Sequence, residues 1–155
     1  MTFMIRIVEE NEKEPGQESF GSSPADLVSR VFVKGGLLQS ALALEHRPQQ
    51  EVMALRVCQA IQSNESLLFE AGTGVGKSLA YLVPSVFFAM TAKRPCIVAT
   101  HTISLQEQIL NKDLPLCRLL FQKSPELTDY QEFKATLLAG KANYLCTTRL
   151  SEALK

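Results

Sequence analysis

The alternation of apolar and polar positions divides the chain into a polar opening, a series of helical patterns, and short apolar runs between them. Residues 9–22, EENEKEPGQESFGS, are acidic and rich in Gly, Pro and Ser. That composition predicts a flexible acidic tail over residues 1–22. Order is expected to begin at SSPADLVSRVFV. There Ser23 can cap a helix, Pro24 suits its first position, and Asp26 stands three residues past the cap as a variant capping box. Gly35-Gly36 should end that helix. In RPQQEVMALRVCQAIQSN, Pro48 opens another helix, and Val52, Met53, Leu55, Val57, Ala60 and Ile61 recur at helical spacing.

Downstream the pattern alternates between two element types. SLLFE, residues 66–70, reads as a short buried strand, and GKSLAYLVPSVFFAMTAK as the following helix, with Pro84 expected to kink it. PCIVAT reads as a second strand, SLQEQILNK as a helix and ATLLA as a third strand. ANYLCTTRLSEALK reads as helix to Lys155. No internal repeat is visible. Strand–helix–strand–helix–strand predicts an α/β fold with a mainly parallel sheet.

Composition narrows the field without naming a chemistry. The 155 residues suit one domain, and 46% apolar with 21% charged residues predicts a globular chain. Sixteen basic and sixteen acidic residues cancel, so no global excess of cation points to nucleic acid. The opening MTFMIRIV is too short for a signal core and runs into EENEKE. No run of about 18 apolar residues exists to span a membrane. A cytoplasmic setting is the expectation. The four cysteines form no C-x-x-C pair, and Cys58, Cys96 and Cys117 sit in apolar patterns where a reduced thiol packs as a small hydrophobe.

One stretch carries chemistry. AGTGVGKS, from Ala71 to Ser78, follows the apolar run ending at Glu70 and leads directly into a helical pattern. Gly72, Gly74 and Gly76 let the backbone turn with amides inward, with Thr73 and Val75 between them. These amides and the helix N-terminus would face phosphate oxygens. Lys77 would reach the β- and γ-phosphates as the catalytic cation, and Ser78 would offer a hydroxyl to Mg²⁺. The alternative is a Gly-rich turn that matches by chance, and the strand-to-helix context argues against it. Hydrolysis also needs an acid at the end of a second apolar strand. CIVAT ends in Thr100-His101, TLLAG ends in Gly140, and Glu70 at the loop's own strand reads as structural.

Taken together, EAGTGVGKSLAYLVPSV, VATHTISLQEQIL and KDLPL resemble the first motor domain of a superfamily 2 DNA helicase. With GGLLQSALALEHRPQQEVM upstream and LLAGKANYLCTTRL downstream, the resemblance narrows to the DinG branch, relatives of the XPD-type iron–sulfur helicases. It covers roughly residues 30–152 and implies a P-loop NTPase fold, here the N-terminal part of a RecA-like ATP-binding domain over residues 23–155. It further implies that Gln50 reads the adenine edge with Arg47 beside it. The competing reading is an exposed helix residue. Thr100, Thr102 and Gln106 would touch single-stranded DNA backbone, or else the threonines merely cap a helix and Gln106 is solvated.

In the family, Cys146 would be the first of four ligands to a [4Fe–4S] cluster. No other cysteine here matches a ligand position, so the cluster is not expected in this chain. Ala139 and Lys141 depart from the family's usual Lys and Arg. The remaining cluster ligands, the acidic Mg²⁺ motif and the second motor domain would lie beyond residue 155. The expectation is therefore an N-terminal helicase fragment that holds ATP or ADP with Mg²⁺, binds single-stranded DNA weakly or not at all, and hydrolyses ATP poorly. The rivals are a non-catalytic nucleotide-binding fragment or pseudogene product, and a small P-loop kinase.

Overall fold

A computed structural model describes the backbone of residues 2–6 and all of residues 23–138 and 145–154. The first helix, α1 (Pro24–Phe32), starts as its sequence dictates. Ser23 Oγ accepts from the Asp26 amide at 3.2 Å and donates to the Asp26 carboxylate at 2.8 Å, which satisfies a helix-terminal N–H that would otherwise be orphaned. The Gly pair turns the chain after it. A Cβ on Gly36 would stand 2.4 Å from the Arg30 carbonyl, so no side chain fits there. A short helix, α2 (Leu37–Leu42), follows, then α3 (Pro48–Ser63) and α4 (Lys77–Ala92).

The second half comprises β2 (Cys96–Ala99), α5 (Ile103–Gln108), a π-helical turn (Ile109–Asp113) and α6 (Leu114–Lys123). A 3₁₀ stretch (Pro125–Tyr130), β3 (Lys134–Leu138) and α7 (Thr147–Ala153) complete it. At the centre lies α4, apolar on nearly every side, with Leu79, Leu82, Val83, Val86 and Phe87 all buried. It packs along α3 and against α1 and α6, while α1 packs on α3. Phe87 meets Tyr130 with ring centroids 4.5 Å apart, and Phe121 joins them and Phe133 in a tilted, edge-rich cluster. Arg118 covers the Phe133 ring at 4.3 Å.

The sheet differs from expectation in two ways. Thr2–Arg6, assigned to the flexible tail, form a strand, β1, that pairs antiparallel with both β2 and β3 in the order β2-β1-β3. Thr2 stands opposite Ala99 on one side and Leu138 on the other. The two strands read from sequence as parallel neighbours therefore share a direction but flank an antiparallel one. The rest of the proposed tail, residues 7–22, lies outside the described residues.

The second difference is SLLFE. Residues 66–70 form no strand, and Leu68 is 100% exposed. An apolar run becomes a strand only where neighbours accept its backbone hydrogen bonds, and here β1 lies between β2 and β3. A cleft of about 530 Å³, bordered by Val57, Ile61, Leu67, Phe88 and Cys96, opens beside the unpaired segment.

Other boundaries moved by less. The helix read as SLQEQILNK continues through the π-helical turn and α6 to Lys123, and α4 runs through Pro84 as one helix. The final helix begins at Thr147, with residues 142–144 of its expected span outside the described residues. No helix among the described residues is long and apolar enough to cross a membrane.

Candidate functional site

The packing of α3 on α4 brings the start of one helix against the loop that precedes the other. Gly76 occupies the N-cap position of α4 without a side-chain cap, and no acidic residue sits in the helix's first turn. The N-terminal end of a 16-residue helix is thus left with free N–H groups and the positive end of its dipole. Gly74 and Gly76 hold φ of 78° and 81°, the left-handed region that favours glycine. At Gly76 a second constraint adds to the first, because a Cβ there would lie 2.3 Å from Gln50 Nε2.

Three side chains tie the loop down. Gln50 Nε2 donates to the Gly76 carbonyl at 2.8 Å, and the Arg47 guanidinium donates to the Gly74 carbonyl. Lys77 turns back so that Nζ donates to the Gly72 carbonyl at 2.6 Å and the Ala71 carbonyl at 3.2 Å. All three cationic or amide groups thus rest on loop carbonyls, and the lysine's charge is held inside the loop's own curve. A neighbouring cavity of about 340 Å³ opens between Glu45–Gln49 and Thr73–Val75. His46 helps shape that wall, its Nε2 lying 2.7 Å from Glu51 Oε2. Sequence reading missed this pair.

Gln50 is neither an exposed helix residue nor a wall of that cavity. It is 6% exposed and sits beneath the loop, with one N–H spent on the Gly76 carbonyl. An amide carries a second N–H and an acceptor oxygen, so the bond does not exhaust it. Glu70 is exposed at the approach to the loop.

The residues singled out for DNA contact separate. Thr100 is half-buried and Thr102 exposed; the Thr102 hydroxyl caps α5 by accepting from the Leu105 amide at 3.3 Å, and Thr100 donates to the Thr102 carbonyl at 3.4 Å. Gln106 is 3% exposed, and its Nε2 is buried without a partner. It faces inward, which corrects the solvated reading of this side chain.

Cys146 is exposed at the N-cap of α7. Among the described residues no group of three or more His, Cys, Asp or Glu is placed to hold a metal ion. Cys58 and Cys117 are buried as expected, with Cys96 half-buried. Burial pushes the Cys117 thiol up to about 12, and the Asp113 carboxylate adds to the shift. Asp113 itself was not singled out from sequence. It is 6% exposed and accepts from Gln108 Nε2 at 3.1 Å within the π-helical turn, a local geometry that side-chain periodicity does not signal.

Comparison with known proteins adds a second line of observation. The chain is 39% identical over 115 residues to "ATP-dependent helicase DinG" of Mycobacterium tuberculosis, covering 74% of this chain and 17% of that protein. It is 38% identical over 128 residues to "ATP-dependent DNA helicase YoaA" of Haemophilus influenzae, covering 82% and 18% respectively. It is 36% identical over 110 residues to "3'-5' exonuclease DinG" of Bacillus subtilis, covering 71% and 11%. The match thus spans less than a fifth of the length of these relatives. Neither a protein-family model nor a solved structure matches the chain.

Proposed function

We propose, starting from a chain that is homologous to one segment of the DinG-type helicases, that its role is to bind ATP or ADP with Mg²⁺ at the Ala71–Ser78 loop. The fold on this reading is part of a P-loop, RecA-like motor domain. The observation that carries the proposal is the loop's combination of features. An uncapped helix N-terminus, two left-handed glycines and a lysine held on loop carbonyls surround one point. A polyphosphate arriving there would accept from the free N–H groups and draw Lys77 off the Gly72 carbonyl, exchanging a dipole for a full charge.

The Ser78 hydroxyl, in the first turn of α4, would be the protein oxygen offered to Mg²⁺. When bound, it would neutralise charge across the β- and γ-phosphates. The cavity beside Arg47 and His46 would take the nucleoside, with Gln50 beneath it.

Helicase action on single-stranded DNA belongs to the reading of a complete DinG-type protein, with Thr100 and Thr102 as phosphate contacts. For this chain the reading assigns nucleotide binding with little turnover, because phosphoryl transfer also draws on an acid for the metal and an arginine for transition-state charge. Such an arginine supplies about 10³–10⁵ in rate where it acts. The test is equilibrium binding of fluorescent ATP to the full chain and to Lys77→Ala. Loss of the charge-assisted contact should weaken binding roughly ten- to a hundredfold. Equal affinity in the two proteins would remove the loop from the account. DNA-stimulated ATP turnover abolished by Lys77→Ala would overturn the assignment of binding without efficient hydrolysis.

A further inference from the structure

The cavity of about 340 Å³ beside the loop has few polar groups that could read a ligand in a fixed direction. Its size falls in the range of ligand pockets, about 300–1,000 Å³. Glu45, Gln49 and Thr73 line it, but all three are exposed and make no hydrogen bond among the described residues. Arg47 is occupied by the Gly74 carbonyl. Gln50 does not line it and has one N–H on the Gly76 carbonyl. His46 differs from all of these. It lies between α2 and α3, and its Nε2 stands 2.7 Å from Oε2 of Glu51, in the first turn of α3. The two side chains are only 18% and 25% exposed. The imidazole is thus anchored to a 16-residue helix while it forms part of the cavity wall.

That anchor also fixes which nitrogen does what. A carboxylate only accepts, so the bonded Nε2 carries the hydrogen. In the neutral imidazole Nδ1 is then a lone-pair acceptor. Nδ1 has no hydrogen-bond partner among the described residues, and it is not sealed from solvent. Pro48 and Val75 add apolar surface on the two sides of the same cavity. A flat ring could lie between such walls with one edge turned to a single oriented acceptor.

We propose that His46 is a specificity-determining residue for the nucleobase and Glu51 its positioning residue: His46 Nδ1 accepts from the exocyclic amino group of adenine. The proposal rests on the reading of the loop as a nucleotide site and deepens it. Guanine and hypoxanthine carry a carbonyl oxygen where adenine carries that amino group. Their oxygen would meet the Nδ1 lone pair, acceptor against acceptor, and both would lose their hydrogen bonds to water without a replacement. Glu51 acts without touching the base. It holds the hydrogen on Nε2 and so keeps Nδ1 an acceptor.

The test is competition against fluorescent ATP on the full chain by ATP, by ITP, whose base is hypoxanthine, and by inorganic tripolyphosphate, which has no base. Measurements at about pH 8 keep a free imidazole neutral, and thermal melts confirm that each variant is folded. The parent should bind ATP about tenfold more tightly than ITP. His46→Phe keeps an aromatic ring without the acceptor, and the ratio should fall to within about twofold. Glu51→Gln offers an amide that donates as well as accepts, so the tautomer is no longer fixed and the ratio should fall to about threefold. Lys77→Ala should weaken all three competitors together, which separates base reading from phosphate reading. Equal affinities for ATP and ITP in the parent overturn the proposal and leave the loop reading standing. So does a full preference retained in His46→Phe, or an equal loss of ATP, ITP and tripolyphosphate in that variant, which is what a merely structural role would give. No binding of ATP or tripolyphosphate by the folded parent overturns the loop reading as well.

Discussion

Replacing Gly76 by Ala strikes the joint between loop and helix, and its cost can be worked from the geometry. The residue holds φ of 81°, and an L side chain in the left-handed region costs about 1–2 kcal/mol. The new Cβ would also lie 2.3 Å from Gln50 Nε2 and 3.1 Å from its Cδ, so the amide must swing away from the Gly76 carbonyl. Breaking that bond costs about 1 kcal/mol, and up to about 3 if the buried amide finds no replacement. The expected destabilisation is therefore about 2–5 kcal/mol, read from the midpoint and slope of urea unfolding. Gln50→Ala alone should cost about 1–2 kcal/mol through the same hydrogen bond. In the double variant the collision and the bond have both gone, and only the backbone strain remains from Gly76→Ala. The two effects should fall short of additivity by about 1 kcal/mol or more. Additive effects, or a Gly76→Ala protein as stable as the parent, would refute the claim that Gln50 clamps the loop through Gly76.

Three further outcomes follow from the buried and exposed groups. Cys117 is fully buried with its thiol raised from 9.0 to about 12. The unfolded chain thus loses this proton first, and stability present below pH 9 should fall by about 1.4 kcal/mol per pH unit as the pH rises toward 12. Urea melts across that window, compared with Cys117→Ala, check the slope, and an identical slope in the variant contradicts it. Under native conditions a thiol reagent should modify the exposed Cys146 first and reach Cys58 and Cys117 only with unfolding. Persistence of the fast phase in Cys146→Ser would contradict this. ATP should bind more tightly than GTP, and Gln50→Ala should narrow the difference while weakening both. Equal affinities in the parent would leave Gln50 with the loop alone.

Much of the helical framework was legible because local rules decide it. Ser23, Pro24 and Asp26 set the start of α1, Pro48 the start of α3, and the Gly-rich turn before Lys77 the start of α4. The loop was legible for the same reason, since its glycines answer a backbone requirement that only Gly meets cheaply. What remained hidden depends on partners distant in sequence. SLLFE has a strand's composition but no neighbour to pair with. Thr2–Arg6 gain a strand from two partners about 90 and 130 residues away, which no local window sees. Gln106 reads as polar and therefore exposed, yet the turn of α5 buries it. Nothing in the local pattern marks Asp113 for burial. Its burial follows from the π-helical turn, whose extra residue redirects every side chain after Ile109.

The account stands on the claim that residues 71–78 receive the phosphates of a nucleotide. Residue-resolved amide NMR of the full chain during an ATP·Mg²⁺ titration tests it most directly. The account predicts saturable shifts concentrated at Ala71–Ser78 and at the facing Glu45–Gln50 segment, with Lys77→Ala abolishing them over the same concentration range. Shifts confined to the cleft around Val57, Leu67 and Phe88, or no saturable shifts in a folded chain, would contradict it.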